Sequence, residues 1–267
     1  MNGRVALRFL GREIEIEHAW VGPAGAEGPV LVFLHEGLGS VAMWKRFPAE
    51  LCEAIGCRGL VYSRPGYGHS TPRPPQERWG VDFMHQQAEA LLPALLEALG
   101  VQRPYALFGH SDGGSIALIH AALFPERVAA AIVLAPHILV EAFGLASIRQ
   151  AREAYLQRGL RARLARHHDD VDSAFWGWND IWLDPRFEAW DLRGLLPRIR
   201  CPVLAIQGVD DEYGTMAQIE GIADRVPGTQ LLKLAGCGHS PHRDQPQAVV
   251  AAAARFLSHH NIIRRQA

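Results

Sequence analysis

The stretch LFGHSDGGSIAL, residues 107–118, sets a single serine between two glycines with apolar residues on both sides. Gly109-His110-Ser111-Asp112-Gly113 fits the pattern G-x-S-x-G, and the flanking sequence supplies the context that gives the pattern meaning. Residues 105–110 (YALFGH) read as a buried strand, and residues 113–125 (GGSIALIHAALFP) read as a helix. A strand that turns into a helix within one residue strains the backbone there and lifts the side chain above the sheet. The neighbours must be small, because larger side chains would strike the adjoining strands. The helix N-terminus behind the hydroxyl favours negative charge developing beside it. This context predicts Ser111 to be a presented nucleophile rather than part of an ordinary tight turn.

Outward from this turn, apolar runs bounded by turn residues recur at 30–35, 58–63, 129–136, 202–208 and 229–236. Such near-continuous runs are those of strands buried on both faces of a parallel sheet. Helical spacing appears between them at 82–100 and again at 240–257. The alternation predicts a doubly wound, mostly parallel α/β fold with its ligand site at the carboxyl ends of the strands. Residues 1–20 alternate apolar and polar and predict a hairpin. From 137 to 195 no strand pattern appears, and Trp176, Trp178, Trp182 and Trp190 fall there. The expected organisation is a core of residues 1–136 and 196–267, with 137–195 as a helical cap. Some cap tryptophans are expected to line a pocket and the others to fill the cap's own core. The tail, 259–267, reads as frayed.

Composition narrows the function further. Lys and Arg number 27 against 28 Asp and Glu, a net charge of −1, with no basic block of the kind that binds nucleic acid. Residues 161–170 (RARLARHHDD) are the most charged stretch and read as a solvated helix face; adjacent residues on a helix lack metal-ligand spacing, so no metal is expected. No apolar stretch approaches bilayer-spanning length, so no membrane partner is expected. Cys52, Cys57, Cys201 and Cys237 lack CxxC spacing and read as reduced thiols of a cytoplasmic protein, Cys237 as a small buried hydrophobe. The expected partner is a small-molecule substrate, and the sequence leaves a homodimer open.

A serine hydroxyl is a weak nucleophile that needs a base, itself oriented by an acid. On this fold those partners follow the serine in the order acid, histidine, each after a later strand. Asp210 and Asp211 lie just beyond the run at 202–208, and His239 lies just beyond the run at 229–236. Glu141, after the run that ends near Pro136, is the alternative acid. The hydrogen-bond donors for an oxyanion are expected from the backbone of Asp112 and of Gly37 or Leu38, in the loop HEGLGS (35–40). His35 reads as a residue that fixes this loop, and His137 as a pocket wall or as a surface or capping residue.

Over nearly its whole length the chain resembles the α/β-hydrolase-fold serine hydrolases. The carriers are HEGLGS, SRPGYGHS (63–70), GHSDGGSIAL, GVDDEYG and GCGHSPHRDQP; residues 109–136 look most like valacyclovir hydrolase and its biphenyl-hydrolase-like relatives. The resemblance implies a triad of Ser111, Asp211 and His239, since the family spacing counted from Gly208 selects Asp211 over Asp210. It implies acyl transfer to water without cofactor or metal, on carboxylic esters, thioesters, lactones or activated amides. Glu36 departs from the pattern, standing where many relatives carry glycine. It joins His110, His137, Glu141, Trp176, Trp178 and Trp182 as candidate substrate-binding residues. Asp112 has two readings: a helix cap, or a carboxylate that attracts a substrate ammonium, as the resemblance to hydrolases of α-amino-acid esters implies. Relatives with the same triad cleave or eliminate at carbon–carbon bonds, and others bind ligands without catalysis, so both alternatives stand.

Overall fold

The computed structural model describes residues 2–26 and 28–263, apart from the side chain of Asn2. Met1, Glu27 and residues 264–267, the end of the tail read as frayed, lie outside the described residues. Eight strands form one sheet: β1 (Asn2–Phe9), β2 (Arg12–Val21), β3 (Leu31–Leu34), β4 (Gly59–Tyr62), β5 (Tyr105–His110), β6 (Val128–Leu134), β7 (Val203–Gly208) and β8 (Gln230–Leu234). Their order is β1-β2-β4-β3-β5-β6-β7-β8. The first two are antiparallel to their neighbours, and the rest run parallel. The hairpin closes through Leu10 and Gly11, both at positive φ (47° and 80°), the handedness a two-residue β-turn needs.

Side chains alternate faces along each strand, and the core divides accordingly. Val32 and Leu34 join one apolar cluster, and Leu31 and Phe33 join the other. On one face lie α1 (Phe47–Ile55) and, at the chain's end, the helix at Pro246–His259. The other face carries a broken helix of α2 (Phe83–Gln86), a π turn (Gln87–Leu91) and α3 (Leu92–Ala98), together with α4 (Asp112–Leu123). Pro93 explains the break in the segment read as one helix over 82–100: it has no N–H to give Glu89, and its ring crowds that carbonyl. Helix α4 is apolar on every side because it is wedged between the sheet and the broken helix, and Asp112 to Ala122 are all buried.

Between β6 and β7 run α5 (Ala142–Gln157), α6 (Leu160–Leu164) and α7 (Val171–Trp182), followed by two 3₁₀ turns. A lone bridge pairs Leu139 with Asp191 at the base of this insertion. Helix α8 (Ala217–Ala223) lies between β7 and β8, and α9 (Pro241–Asp244) and α10 (Pro246–His259) follow β8. Residues 240–257, read as one helix, divide at Gln245 (φ −138°, ψ 59°), since Pro246 drives its predecessor out of helical geometry.

Three further expectations need correction. Strand β8 is an edge strand whose Leu231 is exposed, not a run buried on both faces. Residues 259–263 are held: Asn261 takes φ 57°, Ile262 N–H bonds Leu257 O at 2.9 Å, and Ile262 and Ile263 rest on the core. Residues 167–170 are not a helix face but the turn between α6 and α7. There buried His168 accepts from Gly68 N–H (2.9 Å) and donates to Leu38 O (3.1 Å), while Asp169 pairs with His69 and Asp170 caps α7. Among the described residues no helix is long and apolar enough to cross a membrane, no cluster of His, Cys, Asp or Glu could hold a metal, and the four cysteines are buried and free.

Candidate active site

Strand order places the site. β3 and β5 are neighbours in register (Leu34 beside Gly109), so the loop after β3 lies against the turn after β5. β7 and β8 pair likewise, Gly208 beside Leu234, which brings their carboxyl ends together. At the turn between β5 and α4, Ser111 takes φ 53° and ψ −121°, a conformation that costs a side-chain-bearing residue about 1–3 kcal/mol. Its neighbours permit it by lacking side chains. A Cβ at Gly113 would overlap the carbonyls of Leu34 and His35, and one at Gly109 would overlap the backbone of Gly113 and Gly114.

His239 Nε2 lies 2.9 Å from Ser111 Oγ, and its Nδ1 lies 2.8 Å from Asp211 Oδ1. The same carboxylate oxygen accepts from Tyr213 N–H at 2.8 Å and from Gly214 N–H at 3.3 Å. Burial opposes ionisation of Asp211, but the hydrogen bond and charge of His239 outweigh it and hold the carboxyl below its ordinary value. Nδ1–H therefore donates to Asp211, leaving the Nε2 lone pair for the serine proton. Asp210 is exposed and outside this relay. Glu141 is outside it too: its carboxylate accepts from Thr215 N–H (2.9 Å), Thr215 Oγ1 (2.6 Å) and Gln218 Nε2 (2.7 Å), which ties the start of α5 to the loop before α8. The alternative acid is thus a fastening between elements, and it does not line the pocket.

A cavity of about 210 Å³ opens above Ser111. Its floor includes Glu36, Gly37, Leu38, His110, Asp112, His137 and His239, and its far wall is Ile148, Leu164, Trp178 and Trp182 from the insertion. Trp176 is not in it; that ring packs on Tyr155 and Phe175 and carries Arg152 on its face. The indole of Trp178 lies directly against Gly37, where a Cβ would overlap it.

The remaining candidates are engaged in specific ways. Glu36 pairs with Arg243 (3.0 Å) and faces His110 Nδ1 (3.6 Å); burial opposes its charge, but His110 and Arg243 prevail and hold the carboxyl well below the usual range. His110 donates from Nε2 to the carbonyl of His239 (2.7 Å), fixing that loop. His137 faces Trp182, and burial, with His239 beside it, pushes its pKa down to about 3, so it stays neutral. Asp112 does not cap α4, for no helix N–H reaches its side chain. Its carboxylate accepts from Trp182 Nε1 at 3.2 Å and stands 3.7 Å from the guanidinium of Arg64, a fully buried residue. Burial pushes the Asp112 carboxyl above its ordinary value, and Arg64 and Trp182 only partly offset this.

Several neighbours were not legible in the sequence. Tyr213 lays its ring 4.7 Å from that of His239, Glu212 accepts from His239 N–H (3.2 Å), and Asp244 accepts from Gly238 N–H (2.9 Å). Helical spacing could have marked Ile148 with Leu145 on the apolar face of α5, and Leu164 with Leu160 on that of α6. The motif SRPGYGHS could have marked Arg64, a charge set among residues that bury.

Residues 29–177 match the family described as alpha/beta hydrolase fold. The chain belongs to that family. Among its relatives are the polyketide synthase ThaQ of Burkholderia thailandensis, 30% identical over 260 residues, and the human serine hydrolase BPHL, 26% identical over 197 residues. These matches cover 87% and 68% of this chain; the chain spans 12% of the synthase and 63% of the human protein. A thermophilic esterase from Thermogutta terrifontis superposes with a TM-score of 0.76 at 21% identity, covering 97% of this chain and 99% of that one, a likeness of fold.

Proposed function

We propose that the chain is a serine hydrolase that transfers an acyl group to water through an ester on Ser111. The observation that carries this reading is the unbroken relay from Asp211 through His239 to a strained Ser111 that lines the pocket. In the proposed mechanism Ser111 Oγ attacks the substrate carbonyl while His239 Nε2 takes its proton. The C=O electrons become an oxyanion that meets the N–H groups of Gly37 and Asp112. Collapse expels the alcohol, protonated by His239, and leaves the acyl-serine. Water then repeats the sequence and frees the acid and Ser111. Asp211 holds the imidazole tautomer and balances the imidazolium.

The insertion at 137–195 acts as the cap, and its Ile148, Leu164, Trp178 and Trp182 favour a small, neutral, largely apolar acyl group. Two of the three carboxylates that line the pocket already have cations, Arg243 for Glu36 and Arg64 for Asp112, while Glu212 accepts from His239 N–H. That pairing supports uncharged esters over α-ammonium esters. The cysteine spacing supports residence in the reducing cytoplasm.

The test is mass spectrometry after treatment with a fluorophosphonate, together with turnover of p-nitrophenyl esters from acetate to octanoate. A single adduct on Ser111 with turnover of the shorter esters is expected. An adduct elsewhere, or labelling of Ser111 without turnover of any ester, overturns the reading.

A further inference from the structure

Arg64, just past β4, is completely buried, yet its Nε and Nη1 have no hydrogen-bond partner among the described residues. Its Nη2 donates to the carbonyl of Glu36 at 2.8 Å and is the atom that stands 3.7 Å from Asp112 Oδ2. The guanidinium lies over the ring of Tyr67 at 4.7 Å, and the Arg64 backbone N–H donates to His35 Nε2 at 2.9 Å. His35 in turn donates from Nδ1 to the same Glu36 carbonyl at 2.7 Å. Burying a cation with two idle donors is costly, and tying two loops together would not require it.

Peptide planarity suggests what the arrangement achieves. In a trans peptide the C=O of one residue and the N–H of the next point in opposite directions. Arg64 and His35 hold the Glu36 carbonyl on the buried side, which turns the Gly37 N–H the other way, toward the cavity that Gly37 lines. Asp112 supplies the second donor, and its side chain is anchored between the same guanidinium and Trp182. We propose that Arg64 is a positioning residue, one buried guanidinium that aims both oxyanion donors and adds positive charge behind them. This deepens the serine-hydrolase reading and rests on it. No bond is made or broken at Arg64; its effect grows as charge develops on the substrate oxygen, so it acts on the transition state more than on substrate binding.

The experiment compares Arg64→Met, which removes fork and charge, with Arg64→Lys, which keeps only the charge. Each is assayed for kcat and KM on p-nitrophenyl butyrate. Each is also assayed for affinity toward an alkyl trifluoromethyl ketone, which forms an oxyanion on the serine, and toward the matching unreactive alcohol. Arg64→Met is expected to lose kcat and ketone affinity by the same factor, roughly 10- to 100-fold, with KM and alcohol affinity little changed. Arg64→Lys should fall between it and the wild type. A folded variant with wild-type kcat and ketone affinity overturns the proposal, and so does parallel loss of all four quantities, which marks a collapsed pocket. If Arg64→Met does not fold, Arg64→Lys decides alone by the same criteria. A wild type inert to both fluorophosphonate and ketone defeats the hydrolase reading itself, whereas an active wild type with indifferent Arg64 variants defeats only the brace.

Discussion

The floor and the far wall of the pocket are built by different means. The floor comes from loops after β3, β5, β6, β7 and β8, and it is held by polar contacts between residues far apart in sequence, such as His110 with the carbonyl of His239 and His239 with Ser111. The wall comes from the insertion and presents Ile148, Leu164 and two indoles. Hydrogen bonds weaken steeply with small errors in distance and angle, whereas apolar walls tolerate exchanges of similar volume. Under the proposed function, the difference teaches that reaction chemistry would be fixed in the floor while the choice of acyl group would be left to the wall.

The sharpest way to break that division is to remove floor residues. Ser111→Ala or His239→Ala should each lower kcat by roughly 10⁴- to 10⁶-fold, with the double variant hardly worse, because the relay acts as a unit. Asp211→Asn should cost about 10³- to 10⁴-fold, while Asp210→Asn leaves kcat near wild type. Steady-state kinetics checks this, and multiplicative losses in the double variant would show that the two residues act independently.

A second prediction concerns α4, the helix that carries Ser111. His120 donates from Nδ1 to Ala88 O (2.7 Å) and accepts from Tyr105 Oη (2.5 Å), and burial lowers its pKa from 6.5 to about 4. The unfolded chain therefore binds this proton first as pH falls. Stability is undiminished by this residue above pH 6.5 and is lost between 6.5 and about 4, by roughly 3 kcal/mol in all. Urea unfolding across this range should show the decline and a flatter profile in His120→Gln; equal slopes in the two proteins would discount the residue.

Changes to the wall should be smaller and of another kind. Ile148→Ala and Leu164→Ala should shift the relative kcat/KM toward longer acyl chains by about 10-fold, with kcat on the best ester nearly unchanged. A comparable fall in kcat on every ester would mean that the wall takes part in the chemistry. The smallest effect is expected for charge: an α-amino ester and its des-amino analogue should differ little in kcat/KM, in wild type and in Asp112→Asn alike. A clear amine preference that Asp112→Asn abolishes would return Asp112 to the ammonium reading.

The central parallel strands were legible because a strand covered on both faces shows a near-continuous apolar run; Ser111, Asp211 and His239 each follow a run read as a strand, and the family spacing counted from Gly208 separated Asp211 from Asp210. Local chemistry that depends on spatial neighbours was not legible. Glu141 and Asp211 both follow strands, and only the positions of Thr215 and Gln218 show that Glu141 is occupied elsewhere. Asp112 is placed to cap a helix in sequence, but Arg64, 48 positions earlier, and Trp182, 70 later, draw its carboxylate away. Trp176 and Trp178 are two residues apart on one helix, and their different directions separate a surface ring from a pocket wall.

The contact between Trp178 and Gly37 implies that floor and wall cannot diverge independently. A side chain at position 37 has no room while an indole occupies position 178. In laboratory evolution of this chain, substitutions at Gly37 should therefore fail alone and succeed only after Trp178 has become smaller. Across the family the two positions should covary, a bulky residue at one accompanying a small one at the other.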